Sequence, residues 1–228
     1  MKKNILSLSA LVLVAATLIT SCGKDDTTAP VISLTGDASI TISLQDTYTE
    51  LGATATDDED GAITPSVSGT VNEDLTGTYT ITYTATDAAG NTNTATRTVV
   101  VANDAAALAG TYTASETDVN GPYTYTAPFP VITPSTTVNN RVELTLLGDF
   151  NNNTVYMNIT GTTITIPSQT VSSVGAVQTP PDACDVHSRQ TDGTGTITTN
   201  GFTLTYNDAK VAPCSGTRTA VAATFVKQ

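Results

Sequence analysis

Thr78-Tyr79-Thr80-Ile81-Thr82-Tyr83-Thr84-Ala85-Thr86 alternates without a break: Tyr79, Ile81, Tyr83 and Ala85 fall on one side and threonines on the other. Successive side chains of an extended chain point to opposite faces, so a period of two marks a strand with one face in a core and one in water. A helix would scatter the same residues around its circumference. The stretch runs into Asp87-Ala88-Ala89-Gly90-Asn91, which carries the turn formers of a hairpin, and Ala95 to Val101 supplies the return strand.

Upstream, Pro30 opens Val31-Ile32-Ser33-Leu34, and Ser39 to Leu44 places Ile40, Ile42 and Leu44 on one face. Short strands at this spacing over residues 30–102 predict a small β-sandwich. Leu75-Thr76-Gly77-Thr78-Tyr79 has the cadence of a tyrosine corner, so Tyr79 is expected to bond backbone at a sandwich edge. Ile81 stands where antibody domains place a cysteine, which predicts a core without an inter-sheet disulfide. The blocks "LGATATDDEDGAIT", "SGTV", "TGTYTITYTATDAAGNT" and "RTVVV" resemble the bacterial Ig-like domain named for pesticidal crystal proteins. That resemblance implies a spacer or adhesion module with no enzymatic activity of its own.

Asp57-Asp58-Glu59-Asp60-Gly61 is an acidic run whose spacing does not fit an EF-hand loop, because the acids are consecutive and no Glu follows at the required distance. Two readings stand. Asp57, Asp60 and Asp87 form a cadherin-like calcium site if their loops meet; otherwise Asp60-Gly61 is a bend and the acids are solvated. Calcium is the one cofactor the chain suggests.

Residues 103–108 read as a linker, and 109–228 as a second β module. There Val142, Leu144 and Leu146 share a face, a turn over Gly148 to Asn153 leads into the run Val155 to Ile159, and a tight Gly161 leads to Ile164 and Ile166, which end before Pro167. Asn200-Gly201 between two alternating runs is a hairpin signal, and the chain ends on alternating Val221, Ala223 and Phe225. Hairpin-joined short strands predict an antiparallel meander curling into a barrel or sandwich, which makes the whole chain all-β. Gly110-Thr111-Tyr112-Thr113 repeats the GTYT of residues 77–80, with different flanks. "LAGTYTAS", "ITIPSQTV" and "GTGTITTNGFTLTY" resemble the C-terminal lipocalin-like or calycin-like β-domain of Bacteroidetes lipoproteins, a resemblance that speaks to fold and scarcely to activity.

The N-terminus carries the address. Met1-Lys2-Lys3-Asn4 is followed by a short apolar run, Ile5 to Thr20, too short to span a bilayer and built like a secretory signal peptide over residues 1–21. Ile19-Thr20-Ser21-Cys22 resembles the lipobox of bacterial lipoproteins, in which cleavage precedes the cysteine and its thiol is acylated. Each buried CH₂ of such a chain stabilises membrane attachment by about 0.8 kcal/mol. Gly23-Lys24-Asp25-Asp26 looks like the export tag of surface lipoproteins in Bacteroidetes-type bacteria, within an acidic tether over 22–29. The expected location is therefore the outer membrane, exposed at the cell surface.

Once Cys22 is assigned to lipid, Cys184 and Cys214 remain as an even pair, which in an exported protein reads as a disulfide. Closing a loop of about 31 residues would stabilise by about 3.7 kcal/mol in the chain-entropy model. His187 is the only histidine and has no nucleophile-elbow serine to serve, so no catalytic residues are expected. With 9 basic and 21 acidic residues, a net charge of −12, the chain lacks the basic footprint of a nucleic-acid binder. Tyr123, Tyr125 and Phe129 in "GPYTYTAPFPVITP" are the candidate ligand-binding aromatics, able to stack on a sugar ring or peptide. The alternative is that they staple a loop over a barrel end.

These readings converge on a non-enzymatic envelope lipoprotein whose Ig-like spacer presents a β-domain for extracellular binding of glycan or protein. The alternative is a carrier of a small apolar ligand in the second module.

Overall fold

The computed structural model describes residues 25–118, 121–125, 128–147, 154–174, 186–210 and 217–228. Its first unit contains β1 (Val31–Leu34), β2 (Ser39–Ser43), β3 (Ala53–Asp57), β4 (Gly61–Ile63), β5 (Ser66–Ser68), β6 (Gly77–Thr86) and β7 (Thr92–Ala102). Two sheets, ordered β1-β3-β4 and β2-β7-β6-β5, form the sandwich. The alternating stretch is β6, and it pairs antiparallel with β7 from Gly77↔Val101 to Thr86↔Thr92. Ile81, Tyr83 and Ala85 are buried, as are Val99 and Val101 opposite them and Leu44 after β2. Tyr79 Oη donates to the carbonyl of Leu75 at 2.8 Å, the expected corner.

The inward face of β7 also holds Arg97, which is fully buried. Its Nη1 donates to Glu50 Oε1 at 2.9 Å, and its Nη2 to the carbonyls of Thr35 at 2.6 Å and Gly52 at 3.3 Å. The hydroxyls of Tyr48 and Tyr83 donate to the same Glu50 carboxylate, and the Gly52 N–H donates to it at 2.8 Å. A buried guanidinium thus occupies the core of this sandwich, paired with a partly exposed acid.

Between the units, Asp104–Leu108 winds into a 3₁₀ turn. Ala105 and Leu108 on this turn are buried and belong to the apolar core of the second unit. Asn103, 4% exposed, joins the two units. Its Nδ2 donates to the carbonyls of Ser135, Val138 and Arg141 at 2.9–3.1 Å, and its Oδ1 accepts from the N–H groups of Ala105 and Asn140. Thr76 N–H to Thr136 O at 2.9 Å and Asn139 N–H to Gln45 Oε1 at 3.0 Å add direct bonds from the sandwich.

The second unit contains β8 (Gly110–Asp118), β9 (Gly121–Thr124), β10 (Val131–Pro134), β11 (Arg141–Thr145), β12 (Thr154–Thr160), β13 (Thr163–Val174), β14 (Val186–Thr198), β15 (Gly201–Lys210) and β16 (Thr217–Lys227). Neighbours pair antiparallel from β10 through β16 to β8, and β8 pairs back to β10, so an eight-strand ring closes and leaves no long edge. β9 pairs with the far end of β8, along the edge that β10 covers near its start. Threonines and serines such as Thr113, Ser115, Thr165, Thr196, Thr203 and Thr224 face outward and are exposed. A membrane-spanning barrel would carry an apolar band there. Among the described residues no helix is long and apolar enough to cross a membrane.

Phe202 stacks on Phe225 at 4.4 Å between centroids, and Tyr112 meets Phe202 edge-on at 5.1 Å. These rings fill the half of the barrel nearer the sandwich, with Leu108 beneath them. Tyr112 Oη donates to the Leu108 carbonyl at 2.6 Å, four residues upstream, as Tyr79 does to Leu75. The repeated GTYT is therefore one local device used twice.

Three expectations need correction. Leu146 does not continue the face of Val142 and Leu144: its φ of +61° turns the backbone after β11, and Leu147 takes the buried place. Pro167 does not end its strand, because β13 absorbs it in a register shift between Ile166 and Gln169 and runs on to Val174. The second hairpin turns at Thr199-Asn200, and Gly201 already pairs with Thr198. Gly201 is needed for space, since a Cβ there would sit 1.9 Å from the carbonyl oxygen of Phe225.

Candidate functional site

The acidic run folds as a turn between β3 and β4, with Gly61 at φ +71° supplying the left-handed step. Asp57 Oδ1 accepts from the N–H groups of Glu59 at 3.0 Å and Asp60 at 3.1 Å. The turn does meet the β6–β7 hairpin: Asp60 Oδ2 accepts the Ala88 N–H at 2.6 Å. Asp60 therefore works as a latch between loops, and the carboxylates grouped in space are Asp57, Asp87 and Asp26, with one oxygen of each within 4.8 Å of the others. The grouping differs from the expected trio at one position, with Asp26 standing where Asp60 was expected. Asp26 escaped notice because it lies in the tether and reaches the loops only when the chain folds back along β7, where Asn91 Nδ2 donates to its carbonyl at 3.2 Å and Asn93 Nδ2 to that of Pro30 at 2.8 Å.

Asp87 is 7% exposed. Burial pushes its carboxyl upward, but hydrogen bonds from the Asn91 side chain and from the backbone N–H groups of Asn91, Gly90 and Ala89 outweigh that and hold it below the usual carboxylate range. Asp87 thus stays charged, with its orientation set by Asn91 at 2.7 Å (N–H) and 2.8 Å (Nδ2).

The aromatic candidates separate. Tyr123 is 42% exposed on β9, and Phe129 is half-buried. Tyr125 is 3% exposed, its ring 5.7 Å edge-on from Tyr123, and its hydroxyl donates to Glu116. Tyr125 is thus no surface stacking platform: the alternation that exposes Tyr123 turns Tyr125 inward.

Glu116 was unremarkable as a sequence position, yet it is 2% exposed on the inward face of β8 and also accepts the hydroxyl of Tyr206. Asp208 and Thr191, each 3% exposed, face one another at 3.5 Å. The half of the barrel away from the sandwich therefore buries polar groups, Glu116 beneath two tyrosine hydroxyls and Asp208 beside Thr191, where the near half packs Tyr112, Phe202 and Phe225. The signal was available: Glu116 follows Tyr112 and Ala114, and Asp208 follows Phe202, Leu204 and Tyr206, in the same alternation.

Cys22, Cys184 and Cys214 lie outside the described residues. His187 sits on β14 opposite Ser173.

A lipoprotein of Bacteroides thetaiotaomicron aligns over 87% of this chain and 100% of its own, at 19% identity and a TM-score of 0.34. The CBM51-2 and INT domains of Clostridium perfringens ZmpB, in complex with GlcNAc, align over 50% of this chain at 21% identity and a TM-score of 0.27; this chain spans 28% of that one. Likeness at this level carries no argument about function. No curated protein sequence matches. A family model does: residues 32–101, the sandwich built on the β6–β7 hairpin, match the Ig-like domain of bacterial surface proteins.

Proposed function

We propose that this protein is a non-enzymatic cell-envelope lipoprotein, attached through lipid on Cys22 to the outer membrane and exposed at the cell surface. Its Ig-like domain, of the pesticidal-crystal-protein type, is a spacer, and its closed barrel is the part that binds an extracellular glycan or protein. The observation that carries the reading is the match of residues 32–101 to a bacterial surface Ig-like domain, placed between the lipobox-like N-terminus and the barrel. The Asn103 seam supports it, because a spacer that presents a binding unit works best when the two are joined stiffly.

Tyr123, exposed on β9, and the half-buried Phe129 are the groups for contact with a sugar ring or peptide, and the bond from Tyr125 to Glu116 fixes the end of the segment that carries Tyr123. A glycan array probed with the wild-type chain and with Tyr123→Ala tests this. Binding that Tyr123→Ala abolishes, with the melting temperature unchanged, is the expected result; equal binding by both overturns the assignment of that strand. The closed ring supports a second reading, a carrier of a small apolar ligand. Extraction of a co-purifying lipid or pigment would favour the carrier over the glycan reading.

A further inference from the structure

Asp26, Asp57 and Asp87 come from three separate segments: the tether, the β3–β4 turn and the β6–β7 hairpin. Like charges so close repel one another strongly when partly shielded from water. Among the described residues none of the three forms an ion pair with Lys or Arg. Each is nonetheless held in place: Asp26 by the Thr28 N–H at 2.9 Å, Asp57 by Glu59 and Asp60, and Asp87 by Asn91. Orienting bonds of this kind are what support ligating carboxylates from behind.

A second observation is independent of the clustering. Asp57 Oδ2 is closed off from solvent and accepts no hydrogen bond, although Oδ1 of the same carboxylate accepts two. A carboxylate oxygen hidden from water without a donor is costly and calls for a positive partner.

We propose that Asp26, Asp57 and Asp87 together bind a calcium ion that fastens the tether to both loops of the sandwich. Each carboxylate offers a hard, charged oxygen, the ligand type calcium takes, and water or backbone carbonyls would complete its shell of six to eight. Ligands drawn from three independent segments suit calcium's flexible coordination better than the near-ideal octahedron magnesium demands. Asp60 supports the site by latching the two loops. Because Asp26 follows Cys22 closely, the ion would also set how the Ig-like domain leaves the membrane; that consequence rests on the lipidation reading, while the site does not.

Calorimetric titration of the purified full chain with CaCl₂ tests the site. The expected Kd is about 10⁻⁴–10⁻³ M, the range of extracellular calcium modules, with a calcium-dependent rise in melting temperature. Asp57→Asn and Asp26→Asn each raise the Kd at least about tenfold, as loss of one charged ligand from a small set should. Asp58→Asn, on the exposed side of the turn, leaves it unchanged. Should Asp57→Asn fail to fold, the Asn91 side-chain amide resonances of the wild-type chain shift on adding CaCl₂. No heat and no melting shift up to about 10 mM CaCl₂, well above the expected Kd, would overturn the proposal. So would an equal response to MgCl₂ or to NaCl at the same ionic strength, or full-strength binding by Asp26→Asn.

Discussion

Arg97 Nη1 lies 2.9 Å from Glu50 Oε1 inside the Ig-like sandwich, with the guanidinium fully buried and the carboxylate 26% exposed. Arg97 Nε has no hydrogen-bond partner, so the pair is anchored at one end of the guanidinium only. Removing one member of a buried pair leaves the other uncompensated, at a cost of about 3–5 kcal/mol. Arg97→Met should therefore destabilise the sandwich by about 3 kcal/mol. Arg97→Met/Glu50→Leu should recover part of that loss, because it strands no charge. Urea unfolding, followed by a resonance within β6, measures both.

The same cluster sets a pH window. Burial raises the Glu50 carboxyl, but the hydroxyls of Tyr48 and Tyr83, the Gly52 N–H and the Arg97 charge outweigh it and hold the group below its ordinary value. A depressed folded-state pKa gives stability that is present above the unfolded carboxylate value of about 4.3 and is lost as pH falls through the folded one. Tyr83 moves the other way: burial, then its bond to Glu50, pushes it up to about 12. Its contribution is complete below the unfolded tyrosine value of about 10 and disappears as pH rises from there toward about 12. The urea midpoint should thus be flat between about pH 5 and pH 10 and fall on both sides, and Tyr83→Phe should flatten the alkaline limb.

Asn103 is buried and donates to the carbonyls of Ser135 and Val138 in the β10–β11 connection and of Arg141 at the start of β11. Asn103→Ala leaves those acceptors short of donors and should cost about 2 kcal/mol. It should also loosen the two units, read as a larger radius of gyration and a broader distance distribution by small-angle X-ray scattering. An unchanged scattering profile would mean the remaining bonds, including Thr76 to Thr136, hold the seam alone.

Tyr79→Phe and Tyr112→Phe each delete one hydroxyl-to-carbonyl bond reaching four residues upstream. Each should cost about 1 kcal/mol, and Tyr112→Phe should cost more because its hydroxyl is buried. Thermal unfolding of the two single variants and of the double variant checks this. The effects should add, since the two corners sit in different units.

Most of the strand plan was legible because burial alternates wherever a sheet has one wet face. Tyr79 to Ala85, Val142 to Leu144 and Val221 to Phe225 are read directly from that period. It fails where backbone geometry changes parity, as at Leu146, or where a bulge keeps a strand going past Pro167. It also fails where a charged residue takes an inward position. Arg97 keeps perfect step with Val99 and Val101, and Glu116 with Tyr112 and Ala114, but a charge in a strand suggests water until a partner is visible. The cation candidate was half legible. Asp57 and Asp87 sit in turn sequences that invite the idea, whereas Asp26 becomes a neighbour only through the path of the tether along β7.

We propose that the barrel stands outside the cell on an Ig-like stem attached through Cys22. The most direct measurement is proteinase K digestion of intact cells expressing the full chain, with an epitope placed after Gln228. Intact wild-type cells should lose the epitope, and Cys22→Ala should move the protein out of the membrane fraction. An epitope that survives on intact cells and is lost only after the outer membrane is opened would contradict it.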